Sequence, residues 1–348
     1  MSELAVDNIT GSSATGASPI TLSGNTATLG TSVDTTGWEV DYLVLAGGGS
    51  GGHGGGGAGG YRLGSTTLSG EKSGGDTDPE KPITVFRGMT YEVQVGLGSP
   101  SWNTSMGTAS GSLEPQQWRY SRTVAPTYQG MFPSPIGDSR FGPIHSIEGG
   151  SGTNEDYNHP GWHGGSGGGS GGSTTNTSEG LPGQGSKGAS STATSGGNKG
   201  GGGGAGGDAD NSTKGNGGIG LESSITGTAV KRAGGGGGGR ASGYGHGYGG
   251  NGDWGGGRSD PPTGSGGYYP ALNKGGGGSG GYTNSGSAGG DGIVIISYLN
   301  TYPDLKIIHS THVCNGQAAG TTTAPSPTTN RTGYKCYEFT AGRGGISW

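Results

Sequence analysis

Long glycine runs begin and end on short apolar segments, and this pattern constrains the fold more than any other feature. Residues 42–46, YLVLA, have strand character, and residues 47–60 are nearly all glycine. The glycine-rich stretch 164–291 leads in turn into residues 293–298, IVIISY. Glycine is a poor former of strands and helices. The sequence therefore predicts a body almost without side chains that starts and ends on strands.

The composition excludes a conventional core. Glycine makes up 91 of 348 residues, and apolar residues only 26%. Charged residues make up 12%, about half the usual share of roughly 25%, which argues against the charge-rich type of disordered chain. Collagen requires glycine at every third position and abundant proline, but the glycines follow no such register and only 17 prolines are present.

Two interpretations of the glycine runs remain. In the first, the Gly/Ser segments are flexible coils. In the second, they are extended runs of the polyproline-II type that pack side by side. Such runs make no internal hydrogen bonds, and buried backbone groups need partners, so chains without Cβ atoms can approach and bond laterally. Flexible linkers need no bracketing strands, so we expect the packed arrangement. The predicted fold class is mainly β with an irregular glycine-rich body, in which short strands bracket packed polyglycine-II-type runs, without significant helix.

The chain divides into three predicted regions. Residues 1–36 form an N-terminal attachment segment, with two short strands around residues 23–25. Residues 37–299 form the glycine-rich domain. Residues 300–348 form a C-terminal β segment, with strand candidates at 305–313 and 334–340.

Within the central region, residues 83–86 and 91–95 predict a hairpin through residues 87–89. Tyr91, Val93 and Val95 would share one face of its second strand. Residues 99–162 contain less glycine and predict a structured insertion without regular secondary structure. Its aromatic residues would form a local core: Trp102, Trp118, Tyr120, Phe132, Phe141 and Trp162.

The sequence carries no signature of catalysis, so we expect a protein that is not an enzyme and uses no cofactor or metal. Matches to GxGxxG follow from composition alone and lack the helix that would bind a phosphate. Cys314 and Cys336 match no zinc pattern, and they could form a disulfide or stay free. A net charge of −5 gives no basic patch for nucleic acid. No signal peptide or membrane-spanning run is found, which predicts synthesis in a cytoplasm without membrane insertion.

Three segments occur in an order that resembles a known family. They are VDYLVLAGGGSGGHGGGGAGGYR, ITVFRGMTYEVQVGLG and GGGGSGGYTNSGSAGGDGIVIISY, within residues 38–299. They resemble the glycine-rich domain of bacteriophage tail-fibre and adhesin-like virion proteins, and both chain ends look like those of marine cyanophage fibres. The resemblance implies a homo-oligomeric virion appendage, with a trimer favoured, that is assembled in the host cytoplasm. Its N-terminal segment would bind other virion proteins.

The resemblance further implies that variable loops contact a host-surface receptor. Flat rings in the glycine-rich region could bind the faces of a cell-surface glycan. The candidate receptor-binding residues are Tyr244, His246, Tyr248, Trp254, Tyr268, Tyr269 and Tyr282. Alternatively these rings cap the edges of the packed runs. The alternative functions are a head or tail decoration protein without receptor contact and a cellular glycine-rich surface protein. The insertion at 99–162 is a second candidate location for receptor contact.

Overall fold

The structure is a computed structural model that describes residues 20–23, 26–29, 36–101, 137–154, 160–191, 199–210, 215–239, 255–257, 270–281, 286–317 and 326–348. The regular elements in these residues are fifteen strands and one 3-10 turn, Gly74–Asp76. The strands are β1 (Ile20–Ser23), β2 (Thr26–Leu29), β3 (Trp38–Leu45), β4 (Tyr61–Gly64), β5 (Ile83–Val85), β6 (Tyr91–Gln94), β7 (Ser139–Phe141), β8 (Ile144–Ser146), β9 (Leu221–Ser223), β10 (Val230–Arg232), β11 (Ile293–Leu299), β12 (Lys306–Ser310), β13 (Val313–Cys314), β14 (Tyr334–Ala341) and β15 (Arg343–Ser347). The mainly β fold class is confirmed.

The strands that bracket the glycine-rich region pair with each other. β3 and β11 are antiparallel neighbours, in a register that runs from Ile293 opposite Leu45 to Ser297 opposite Asp41. Both strands are rich in β-branched and aromatic residues, which favour sheets. They form the centre of a six-stranded sheet with the order β13-β14-β11-β3-β4, and β5 also pairs with β3. The predicted bracket is confirmed.

A second sheet has five strands in the order β12-β15-β6-β7-β8. The predicted hairpin of residues 83–86 and 91–95 is wrong, because β5 pairs with β3 whereas β6 pairs with β15 and β7. The intervening turn carries the chain from one sheet to the other. Gly88 has φ +79° there, and the Phe86 amide donates to the Tyr91 hydroxyl at 2.9 Å. Two strand signals close in sequence therefore contribute to different sheets.

The insertion at 99–162 contains regular structure, contrary to the prediction. β7 and β8 form an antiparallel hairpin, and Phe141 packs edge-on against Tyr42 with ring centroids 6.4 Å apart. Phe141 thus belongs to the main core. Trp162 is half-buried, and its amide donates to Ser151 O at 2.9 Å among the glycine-rich segments. The other aromatic residues expected in the insertion's own core, namely Trp102, Trp118, Tyr120 and Phe132, lie outside the described residues.

The six-stranded sheet is buried on both faces. Side chains of β3 alternate: Tyr42 and Val44 join the core between the two sheets, and Leu43 and Leu45 join a second core on the opposite face. The first core includes the predicted face of β6, with Val93 and Val95 buried and Tyr91 packed against it. The second core lies against the glycine-rich body. This sheet therefore anchors the body to the rest of the fold.

The chain ends supply further strands. β14 pairs with β11 and β15 pairs with β6, so the C-terminal region completes both sheets. The candidates at 305–313 and 334–340 are confirmed as β12–β13 and β14. β1 and β2 form the predicted N-terminal hairpin. The division into three regions stays a prediction.

Candidate functional site: the glycine lattice and its tip

Residues 55–60 form an extended run whose backbone donors point in three directions in turn. Residues 55 and 58 donate to Gly200 and Gly203, residues 56 and 59 to Gly278 and Gly275, and residues 57 and 60 to Gly150 and Ile147, all at 2.7–3.0 Å. The direction therefore repeats every three residues. A polyproline-II helix has three residues per turn and no internal hydrogen bonds, which gives this period.

The carbonyl groups of the same run face three more segments. Gly169 and Ser166 donate to residues 55 and 58, Gly236 donates to residue 56, and Gly49 and Ala46 donate to residues 57 and 60. The run is thus surrounded by six segments, three that accept from it and three that donate to it. Residues 46–60 and the glycine-rich segments bonded to them are called the glycine lattice below.

Neighbouring runs follow the same rule. Residues 199, 202 and 205 donate to residues 239, 236 and 233, and residues 200 and 203 donate to residues 170 and 167. Residues 277 and 280 donate to residues 234 and 237. The predicted lateral bonding of polyglycine-II-type runs is therefore present across the described body.

Contact distances explain why these positions are glycine. A Cβ atom on Gly202 would lie 1.9 Å from Gly56 O, and one on Gly56 would lie 2.0 Å from Gly49 O. The hydrogen that replaces each Cβ points at that carbonyl oxygen, which is the arrangement of a weak Cα–H···O bond. A methyl group would force neighbouring runs apart and break several N–H···O bonds together.

Larger residues occur at two kinds of lattice position. Ala58, Ala205 and Ala233 belong to the second core beside the six-stranded sheet. Buried serines pair across runs, with Ser50 Oγ 3.1 Å from Ser151 Oγ and another such pair, Ser279 and Ser287, also 3.1 Å apart. These side chains meet apolar neighbours or each other's hydroxyl groups, whereas Ser170 Oγ donates to a backbone carbonyl, Gly172 O, at 3.0 Å.

The lattice has a base at the sheets and a tip away from them. Residue 46 follows β3 and residue 60 precedes β4, so both lie at the base. Between them the chain turns near His53, whose amide donates to Thr153 O at 3.0 Å and whose carbonyl accepts from Gly239 at 2.7 Å. Residues 46–53 extend about 22 Å at ~3.1 Å per residue. His53, Thr153, Gly239 and Gly281 define the lattice tip.

The seven predicted receptor-binding residues, Tyr244, His246, Tyr248, Trp254, Tyr268, Tyr269 and Tyr282, lie outside the described residues. Their described neighbours in the chain have defined positions. Gly239, which precedes the segment with Tyr244 to Trp254, is at the tip, and so is Gly281, which donates to Gly52 O at 2.8 Å. Gly255 and Pro270 lie nearer the base. Gly255 accepts from Ala271, and its carbonyl oxygen is beside Gly276, which follows Gly275, the acceptor of the Gly59 amide. The candidate residues themselves stay a prediction.

A buried ion pair fixes the C-terminal segment to the six-stranded sheet. Arg331 Nη2 lies 2.8 Å from Asp41 Oδ2 and 2.5 Å from Thr67 Oγ1, and Nη1 donates to Ser297 Oγ at 2.9 Å. The guanidinium also stacks on Tyr334, 3.7 Å from the ring centroid. Sequence reasoning missed this cluster, because no local pattern marks residues so far apart in the chain.

A second polar chain links the margins of the two sheets. Arg62 binds the Glu80 carboxylate through two bonds of 2.6 Å, and the Tyr42 hydroxyl donates to the same carboxylate at 2.9 Å. Arg62 also donates to His145 O at 3.2 Å, and His145 Nε2 lies 2.8 Å from Asp138 Oδ2. Burial and then Glu80 raise the pKa of Tyr42 far above its ordinary value. The bonds to Glu80 raise the pKa of Arg62, so both groups keep their protons.

The two cysteines are free and buried. Cys314 belongs to the core between the sheets, and Cys336 lies on the opposite face of β14, with Sγ 3.2 Å from Ser297 Oγ. Burial raises the pKa of Cys314 to about 12 and also raises that of Cys336. The alternative left open by the sequence is therefore settled in favour of thiols.

Within the ranges that the structure describes, no group of three His, Cys, Asp or Glu side chains could hold a metal ion. No helix in the same part of the chain is long and apolar enough to cross a membrane.

The family model described as a glycine-rich domain matches residues 23–299. The match covers most of the chain, from β1 to the end of β11, and the chain therefore belongs to the glycine-rich domain family. Comparison with curated proteins and with solved structures gave no match.

Proposed function

We propose that this protein is a non-enzymatic virion protein of a bacteriophage, a tail fibre or fibre-tip component that takes part in recognition of a host-surface glycan. The observation that carries the proposal is the lattice itself. Its interior is held by backbone bonds in six directions around residues 55–60, and five of these six residues are glycine. Such a body suits the display of loops at a distance from the sheets.

The positions of the loop ends support this role. The chain reaches the tip at Gly239 and again at Gly281, before segments that carry Tyr244, Tyr248 and Tyr282, whereas Trp254 directly precedes Gly255 nearer the base. An aromatic ring covers a sugar face with little loss of side-chain freedom, and several weak contacts add up when a protein has several copies. The proposal therefore includes a homo-oligomer, with a trimer favoured, whose N-terminal segment binds other virion proteins.

Adsorption of particles to host cells tests the proposal. The triple variant Tyr244→Ala/Tyr248→Ala/Trp254→Ala should abolish adsorption while the melting temperature stays unchanged. Phe86→Ala is the matched control, because Phe86 is an exposed aromatic residue in the turn after β5, remote from the tip. Normal adsorption by the triple variant would remove these residues from the proposal.

The location of the protein on the particle separates this function from its alternative. A decoration protein would occupy the head or tail surface in a regular array and would tolerate the triple substitution. Cryo-EM of the particle with antibody fragments against the C-terminal β-strands would give both location and copy number. A head lattice would overturn the fibre assignment.

A further inference from the structure

His312 lies where the chain leaves one sheet and enters the other. It separates β12, in the five-stranded sheet, from β13, in the six-stranded sheet, and its side chain is buried at 2% exposure. Its Nε2 atom lies 2.9 Å from Val93 O in β6. A carbonyl oxygen only accepts, so Nε2 carries the hydrogen and donates it, and Nδ1 of the neutral ring carries none.

The second ring nitrogen, Nδ1, lies where a proton would be unfavourable. Nδ1 is buried and has no hydrogen-bond partner, and the ring packs edge-on against Phe339 with centroids 5.0 Å apart. A proton on Nδ1 would create a buried charge and a donor without an acceptor, which costs free energy. Burial accordingly lowers the pKa of His312, and the bond to Val93 opposes that effect only in part.

The charged groups on the surrounding strands do not compensate a charge on His312. Glu92 on β6 is paired with Arg343 on β15 at 2.5 Å. Apart from His309, the other titratable groups on these elements are Tyr91 on β6, Lys306 on β12, Cys314 on β13, and Tyr334, Lys335, Cys336, Tyr337 and Glu338 on β14. Among the described residues none of them forms an ion pair or hydrogen bond with the His312 ring.

We propose that His312 is an acid-sensitive latch, which ties the β12–β13 crossing to β6 when neutral and releases it when protonated. The other described hydrogen bonds on either side of His312 run to β14 and β15: β13 pairs with β14, the Thr311 amide donates to Arg343 O at 3.3 Å, and Thr311 Oγ1 accepts from the Arg343 amide at 3.1 Å. The bond from His312 to Val93 O is the one that reaches β6. The neutral ring is favoured by folding, so the folded pKa lies below the unfolded one. The contribution of neutral His312 to stability is complete above about pH 6.5 and is lost as the pH falls through the pKa of His312 in the folded protein.

Hydrogen exchange of the full-length protein at pH 7 and pH 5 tests the latch. His312→Gln keeps an N–H donor for Val93 O and does not titrate. After correction for intrinsic rates, peptides covering residues 305–317 should exchange faster at pH 5 than at pH 7 in the wild type, by up to about tenfold for each unit by which folding lowers the pKa of His312. The variant should show little change. Equal acceleration in both proteins would overturn the proposal, and His145→Gln, at the bonded pair with Asp138, should behave as the wild type.

A direct titration keeps the proposal testable if the variant does not fold. In wild-type protein with isotope-labelled histidine, NMR should show His312 still neutral below about pH 6.5, the ordinary pKa of a histidine side chain, until the crossing opens. Protonation of His312 at or above about pH 6.5, with the strands intact, would overturn it.

Discussion

The amide of Gly56 donates to the carbonyl oxygen of Gly278 at 2.7 Å. The two residues are neighbours in space although their runs lie near opposite ends of the glycine-rich domain in the sequence. The carbonyl of Gly56 also accepts from the Gly236 amide at 2.8 Å. One glycine thus joins three runs through its own backbone. The stability of the body depends on such residues in the way that an ordinary domain depends on its buried leucines.

Substitution of an interior glycine by alanine should therefore destabilise the protein strongly. Gly202→Ala places a Cβ 1.9 Å from Gly56 O, and we expect a loss of more than about 3 kcal/mol, since overpacking ordinarily costs ~1–3 kcal/mol even where side chains can adjust. Gly207→Ala is the control, because its Cβ would meet only Ile219 at 3.2 Å. Denaturant unfolding of both variants measures the difference, and equal stability would contradict the close packing of the runs.

The lattice should be protected from hydrogen exchange although it contains no strands. The N–H groups of residues 55–60 are buried and donate to three neighbouring segments, so we expect them to exchange about as slowly as those of β3. Exchange measured by mass spectrometry on peptides covering residues 46–60 checks this. Exchange at the rate of an unstructured peptide would show that the runs behave as a flexible linker.

Loss of Arg331 should destabilise the fold more than loss of the whole ion pair. Arg331→Met leaves Asp41 buried without its partner, which costs about 3–5 kcal/mol. The double variant Asp41→Asn/Arg331→Met removes both charges and should regain much of that stability. Thermal or denaturant unfolding of the single and double variants measures their order of stability. A double variant less stable than Arg331→Met would contradict the prediction.

The thiols should be unreactive in the folded protein. Cys314 and Cys336 are buried and free, and the thiolate is the reactive form. Since the pKa of Cys314 is raised to about 12, little thiolate exists at pH 8. A thiol reagent should label neither cysteine in native protein and both after unfolding without reductant. A mass without label after unfolding would indicate a disulfide instead.

The sequence was sufficient for the longer apolar strands and for the type of lattice. It was not sufficient for short strands such as β7 and β8, or for the arrangement of strands and runs. Runs of β-branched and aromatic residues predict β3 and β11. The packed glycine runs are predicted because glycine favours neither helix nor strand and because strands bracket the runs. The hairpin prediction at residues 83–95 was wrong because strand signals do not state which sheet a strand joins. Which run neighbours which could not be predicted, since glycine runs are chemically alike. The partnership of Arg331 with Asp41 depends on the finished fold.

The stability of an ordinary domain falls on both sides of a maximum at about 10–20 °C, because unfolding exposes apolar surface and so raises the heat capacity, whereas exposed polar groups lower it. The buried surface of the lattice is largely amide groups of residues such as 55–60 and 199–205. Its unfolding therefore contributes less than the ordinary ~12–15 cal/mol/K per residue. The stability curve of this protein should be flat, with the body held almost as firmly near freezing as at room temperature.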